Sequence, residues 1–303
     1  MTDLNTPLTE LLPGVRHRAG QRVGIELEYE GFSNTRFIES NTKVTKWYLE
    51  RDPSLRAGGM ELISSILQPG YVKGALEEAH AIVKASKARA HLRCGVHVHL
   101  NMTDVTLKHL WNTIVLYTLA EPSIFKEFAD GREGSHFCVP LWSNAVFAQA
   151  MYTDIKTIRG GSMPTQRPKK RARRDLYGDL AFAPAEPQRL GLFRCIKYSA
   201  LNFKPLTTLG TIEFRQHPAT TDMGRVRKWV DFLMHMRDVA GEYNDPLDIL
   251  DQYEDIGIAG LRDNLGLEHL DVDDLDQEEA EDVATMAAGH IPAPWTDFTW
   301  EIK

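Results

Sequence analysis

The sequence predicts an α+β chain built on an antiparallel sheet. Three observations lead there: short alternating runs rich in β-branched and aromatic residues, longer runs of helical period in mixed order with them, and no glycine-rich turn joining a strand to a helix. The last removes the phosphate fingerprint of a parallel nucleotide-binding fold. A hydrophobic share of 43% beside 25% charged residues is that of a globular chain, neither disordered nor membrane-embedded. The most apolar stretch, around residues 114–119, is interrupted far short of the ~20 apolar residues a bilayer span needs. Asp3, Glu10, Pro13 and Arg16 occupy the region where a signal peptide would be apolar, so the expected location is cytoplasmic, with no membrane partner.

Residues 22–30, RVGIELEYE, put Val23, Ile25, Leu27 and Tyr29 on one face of a strand and Gly24, Glu26 and Glu28 on the other, with Glu30 extending the acidic row. Further extended runs fall at 60–67, 95–101, 195–203 and 211–217. Helical spacing appears at 71–90 (Val72, Leu76, Ala79, Val83), at 105–128 with a break expected at Pro122, and at 222–243 (Val226, Trp229, Val230, Leu233, Met236, Arg237). These runs delimit a body over residues 22–245, with an amino-terminal extension 1–21 and an acidic, helical carboxyl-terminal extension 246–303. Trp295, Phe298 and Trp300 are apolar enough to dock that extension back onto the body.

A net charge of −7 opposes nucleic acid as a whole-surface partner, but the charge is unevenly placed. Residues 160–174, GGSMPTQRPKKRARR, read as a loop whose basic cluster from Lys169 to Arg174 is either a solvated insertion or a flap over an anionic partner. Residues 268–282 are dense in acid and read as a solvated stretch. Cys94, Cys138 and Cys195 are too far apart for a zinc knuckle and odd in number, so reduced and mostly buried thiols are expected.

Three strands carry candidate chemistry. Glu26 and Glu28 project from one face about 7 Å apart, a spacing that a solvated edge would tolerate and that a hard cation would exploit. His97 and His99 share a face in CGVHVHLN, where they could serve as zinc or iron ligands with a carboxylate, as structural histidines, or as groups beside phosphate. In TIEFRQH, alternation puts Thr211, Glu213, Arg215 and His217 on one face and Ile212 and Phe214 toward the core. A carboxylate two residues from an arginine suits a metal-bound phosphate, the fork gripping oxygens while the acid holds the cation; a plain ion pair is the simpler account.

Taken in order, GIELEYE, DPSLRAGGMELIS, CGVHVHLN, KYSALNF and GTIEFRQHPATTD resemble the amidoligase family, carboxylate–amine ligases related to glutamine synthetase and glutamate–cysteine ligase. The resemblance runs in motif order from about residue 23 to 239. It implies a saddle-like antiparallel sheet of the glutamine synthetase/glutamate–cysteine ligase catalytic-domain type, helices on its outer side, and an ATP–Mg2+ site on its inner face. Carried over by position, it implies metal carboxylates at Glu26, Glu28, Glu61 and Glu213. It implies catalytic roles for Asp52, His99, Lys197 and Arg215, and nucleotide contacts from His97, His99, Asn202 and Arg215. On an unbroken strand Lys197 and Asn202 would point to opposite faces. Pro53 and Ser65 depart from the family pattern around the loop between Asp52 and Glu61.

The activity implied is ATP-dependent amide or isopeptide formation through an acyl phosphate. The carboxylate and amine are small molecules, peptides or modified nucleobases, and the basic loop at 160–174 would be a lid or anion contact. A guanidino-kinase-like phosphotransferase, a His/Glu metal-dependent hydrolase, and a degenerate nucleotide- or nucleic-acid-binding member are the alternatives.

Overall fold

The computed structural model describes residues 4–33, 46–56, 58–132, 135, 137–141 and 198–267. Six strands form one antiparallel sheet: β1 Val23–Tyr29, β2 Trp47–Arg51, β3 Met60–Ser64, β4 Gly95–Asn101, β5 Leu201–Asn202 and β6 Thr211–Pro218. Their order across the sheet is β2-β3-β1-β4-β6-β5, with every pairing antiparallel. The chain is thus α+β with an open antiparallel sheet, as the mixed order of periodicities predicts.

Helices cover one face of the sheet. After a single turn α1 at Leu8–Leu11 come α2 Val72–Ser86, α3 Leu107–Phe128, α4 Met223–Glu242 and α5 Pro246–Asn264. Helix α3 packs on α4 and α5, and α2 packs on α4. Ile25, Leu27, Val96, Val98, Leu100, Ile212 and Phe214 face this layer, fully buried with Trp111 and Trp229 in one core. Burying each such side chain is worth about 1.5–3 kcal/mol, which fixes which face of each strand is inner and which is open.

Element ends follow local chemistry. Asp222 caps α4 by accepting from the amides of Gly224 and Arg225, and Thr106 caps α3 by accepting from His109. Helix α2 stops at Ser86, short of the expected residue 90, because Lys87 turns left-handed at φ 54°. Helix α3 does not break at Pro122 but continues to Phe128. It is buried almost all round, and that burial outweighs the roughly 3 kcal/mol that an interior proline costs.

Two features depart from the alternation expected along the chain. Strand β2 follows residues 34–45, and its only sequence signal is one short WYLER alternation. In β6 the register against β4 shifts between Val96 and Val98, where β6 carries an extra residue. His217 therefore pairs with Val96 and packs at 6.1 Å on Trp229, on the helix side and not beside Glu213 and Arg215 as expected. The chain segments holding Lys197, the basic loop 160–174, the acidic stretch 268–282, Cys195 and the closing Trp295, Phe298 and Trp300 lie outside the described residues. Cys94 and Cys138 are buried. Among the described residues no helix is long and apolar enough to cross a membrane.

Candidate functional site

The open face of the sheet is polar, and strand register decides what meets on it. Glu28 stands opposite Glu61 on β3, and Glu26 opposite His97 on β4. His99 stands opposite Glu213 on β6, which in turn stands opposite Asn202 on β5. Residues far apart in sequence thus become neighbours because cross-strand pairs sit about 5 Å apart.

His97, 2% exposed, is the hub. Its Nδ1 lies 3.3 Å from Glu26 Oε2 and 3.5 Å from Glu213 Oε1, and its Nε2 lies 3.6 Å from Glu28 Oε1. His99 Nε2 lies 3.2 Å from Glu26 Oε1 without the alignment of a hydrogen bond, while Nδ1 meets the Thr211 hydroxyl at 3.0 Å. Glu28 Oε2 accepts from the Gly95 amide at 2.6 Å. Position 95 is crowded: a Cβ there would fall 2.9 Å from Arg132 Nη1 and 3.0 Å from His97 Nε2, so these side chains would have to shift.

Three groups offer ligand atoms mutually within 4.8 Å: Glu26–His99–Glu213, Glu26–Glu61–His97 and Glu28–Asp52–Glu61. The last is all oxygen, the donor set that Mg2+ prefers, and the first two add an imidazole, which suits softer divalent ions as well. The buried Nε2 of His99, lacking a hydrogen bond, is a ligand atom in waiting. Asp52 is oriented by Ser54, whose amide and hydroxyl both donate to it at 2.7 Å. Glu30 does not extend the cluster; it accepts from the Arg56 amide at 2.9 Å and so pins the loop after Asp52.

Arg215 is ion-paired through Nη1 to Glu213 Oε1, and its Nε donates to the Phe137 carbonyl at 3.4 Å. Asn202 donates from Nδ2 to Glu213 Oε2 at 2.6 Å. Asn202 therefore reaches the open face, where it holds the Glu213 carboxylate.

The electrostatics separate the acids. Burial alone would raise Glu26, but the His97 hydrogen bond, the close His99 ring and the charge of both rings outweigh it and hold the carboxyl far below its ordinary range. Glu213 is likewise lowered, burial being outweighed by Arg215 and the two histidines. Glu61 goes the other way, to about 8, through burial and the charges of Glu26, Glu28 and Asp52. Burial would lower His99, but Glu26 and Glu213 raise it. The acids around Glu61 are uncompensated by positive charge, which keeps its carboxyl protonated at neutral pH.

Sequence reasoning missed three residues here. Tyr48 and Glu50 stand on the same face because β2 pairs with β3, Tyr48 opposite Ile63 and Glu50 opposite Glu61. Arg132, 5% exposed, donates from Nη1 to the carbonyls of Cys94 and His217 at 3.0 and 3.1 Å and so clamps the ends of β4 and β6 beside Glu28. Arg132 lies in no motif; for β2 the WYLER alternation was the available signal.

The chain matches the model of a family described as "Putative amidoligase enzyme" over residues 38–236, the span that carries β2 to β6. No curated protein matches it.

Proposed function

Because this chain belongs to the amidoligase family, we propose that it is an ATP- and Mg2+-dependent ligase that joins a carboxylate to an amine through an acyl phosphate. The same reading assigns its sheet to the saddle-like catalytic type of glutamine synthetase and glutamate–cysteine ligase. The observation that carries it is the convergence on one face of three ligand groups with an arginine paired to one of their acids.

A carboxylate is a poor electrophile in water and its oxygen a poor leaving group. In the proposed reaction the γ-phosphoryl of ATP passes to the substrate carboxylate. The amine, once its ammonium proton is lost to solvent, forms the C–N bond as the C–O bond to phosphate breaks, and the nitrogen gives a second proton to the departing phosphate or solvent. Such transfers are catalysed chiefly by alignment and charge neutralisation, so the protein needs no nucleophile of its own. Bound Mg2+ would offset phosphate charge, held by Glu26, Glu28, Glu61, Glu213 and Asp52. Arg215 keeps Glu213 in place through Nη1 and has further N–H groups for phosphate oxygens. Asn202 fixes the second oxygen of Glu213, and His97 ties Glu26, Glu28 and Glu213 together from behind. Lys197 and the cluster from Lys169 to Arg174 are assigned to phosphate contacts and water exclusion by the same reading.

The test is ADP formation with Mg·ATP, pooled carboxylates and hydroxylamine as the amine, each omitted in turn. Hydroxamate and ADP appearing only when all are present supports the ligase. ADP that needs no amine, without hydroxamate, would replace it with a phosphotransferase, and substrate loss without ATP would replace it with a hydrolase.

A further inference from the structure

Strand β2 is one edge of the sheet, and its two faces differ sharply. Trp47 turns inward, donating from Nε1 to the Ala75 carbonyl at 2.7 Å, whereas Tyr48 is 51% exposed and Glu50 is exposed on the open face. Tyr48 ends the row that continues through Ile63 to Glu26 and His97, and Glu50 ends the row that continues through Glu61 to Glu28. Neither belongs to a group able to hold a metal, although Asp52 of one such group follows Glu50 by two residues. Among the described residues Glu50 has no hydrogen bond or ion pair. Burial and then the charges of Glu26, Glu50 and Glu61 push the Tyr48 phenol up, so its ring sits in a negative field.

The opposite side of the same face carries the arginines, Arg215 paired to Glu213 and Arg132 held on the Cys94 and His217 carbonyls. The face is therefore polar from end to end. A triphosphate is favoured toward the arginines and repelled from Glu50, while a ring face beside an uncommitted carboxylate attracts an organic cation. A primary amine, with an ordinary pKa of roughly 10, arrives at neutral pH as such a cation.

We propose that Tyr48 and Glu50 form the subsite that takes the amine co-substrate as its ammonium ion, with Ile63 beside the ring to receive the alkyl part. The inference rests on the ligase reading and names the class of its second substrate: an alkylammonium, and not an anion or a neutral alcohol.

The experiment is ligand-observed NMR of n-butylammonium on the full chain with saturating Mg2+ and a non-hydrolysable ATP analogue, with n-butanol and butyrate as comparators. Tyr48 and Glu50 are exposed, so Tyr48→Ala, Tyr48→Phe and Glu50→Gln keep the fold, which their melting curves check. Wild type binds n-butylammonium and neither comparator; Tyr48→Ala and Glu50→Gln each raise Kd roughly three-fold, and Tyr48→Phe leaves it unchanged. Equal ammonium binding in all variants would overturn the subsite. So would a wild type that binds the nucleotide and no ammonium. Ammonium binding that depends on Tyr48 and Glu50 in a chain that fails to bind the nucleotide would overturn the ligase reading and leave the subsite standing.

Discussion

Asn202 and Glu213 face each other across β5 and β6, and the amide of the first donates to Oε2 of the second at 2.6 Å. Arg215 takes the other oxygen, so a carboxylate only 4% exposed has both oxygens bound before any cation arrives. A hydrogen bond to a charged group contributes about 1.5–3 kcal/mol, and a second buried carboxylate in its place adds repulsion. Asn202→Asp is expected to lower the melting temperature of the metal-free chain more than Asn202→Ala does. Mg2+ should recover more of that loss in the Asp variant, because the cation neutralises the new pair. Equal losses, insensitive to Mg2+, would show that Asn202 is not coupled to a cation site.

In the proposed Mg2+ site, Glu61 is expected to set the pH dependence of binding. With its carboxyl at about 8, it holds a proton at neutral pH that an incoming cation must displace. Affinity for Mg2+ should therefore rise as pH increases toward 8 and level off above it, with proton release on binding measurable by calorimetry in two buffers. In the metal-free chain the folded state binds this proton more tightly than the unfolded one, so the stability it gives is complete below pH 4.5 and lost as pH rises through 8. Glu61→Gln should flatten both profiles and melt higher than wild type at pH 8 without metal.

His217 produces the opposite trend. Burial lowers it from 6.5 to about 4, so the unfolded chain takes up a proton first as pH falls. Its stabilising effect is complete above pH 6.5 and is lost on acidification toward pH 4, by up to about 3 kcal/mol. His217→Gln should show a shallower fall in melting temperature between those limits. A slope equal to that of wild type would contradict the core position that the β6 bulge imposes.

Arg215→Lys keeps the charge and loses the planar fork that can hold Glu213 and a phosphate together. Affinity for a non-hydrolysable ATP analogue with Mg2+ should drop roughly ten- to a hundred-fold, the range expected for a charge-assisted hydrogen bond of about 1.5–3 kcal/mol. Affinity unchanged in fluorescence or calorimetric titration would remove Arg215 from the nucleotide site.

Much of the face was legible because strict alternation in β1 and β4 leaves no choice: with Ile25 and Leu27 in the core, Glu26 and Glu28 must emerge on the other side. Register was not legible. Nothing in the sequence says that Glu28 meets Glu61 or that His97 touches Glu213, since those pairings depend on which strands become neighbours. The extra residue in β6 reversed the side taken by His217, and a single inserted position leaves no compositional trace. Strand β2 was too short to register, which hid Tyr48 and Glu50. Pro122 misled because local propensity carried less weight than the burial of α3.

The account rests on a cation and a nucleotide meeting on this face, and one measurement tests that directly: the melting temperature with and without Mg2+ and a non-hydrolysable ATP analogue, for wild type and Glu213→Gln. A ligand present at about a hundred times its Kd adds roughly 2.7 kcal/mol to a folded state that alone binds it, a rise of several degrees. That rise is expected in wild type, dependent on Mg2+, and is lost in Glu213→Gln. No rise at saturating nucleotide, or an equal rise in the variant, would contradict it.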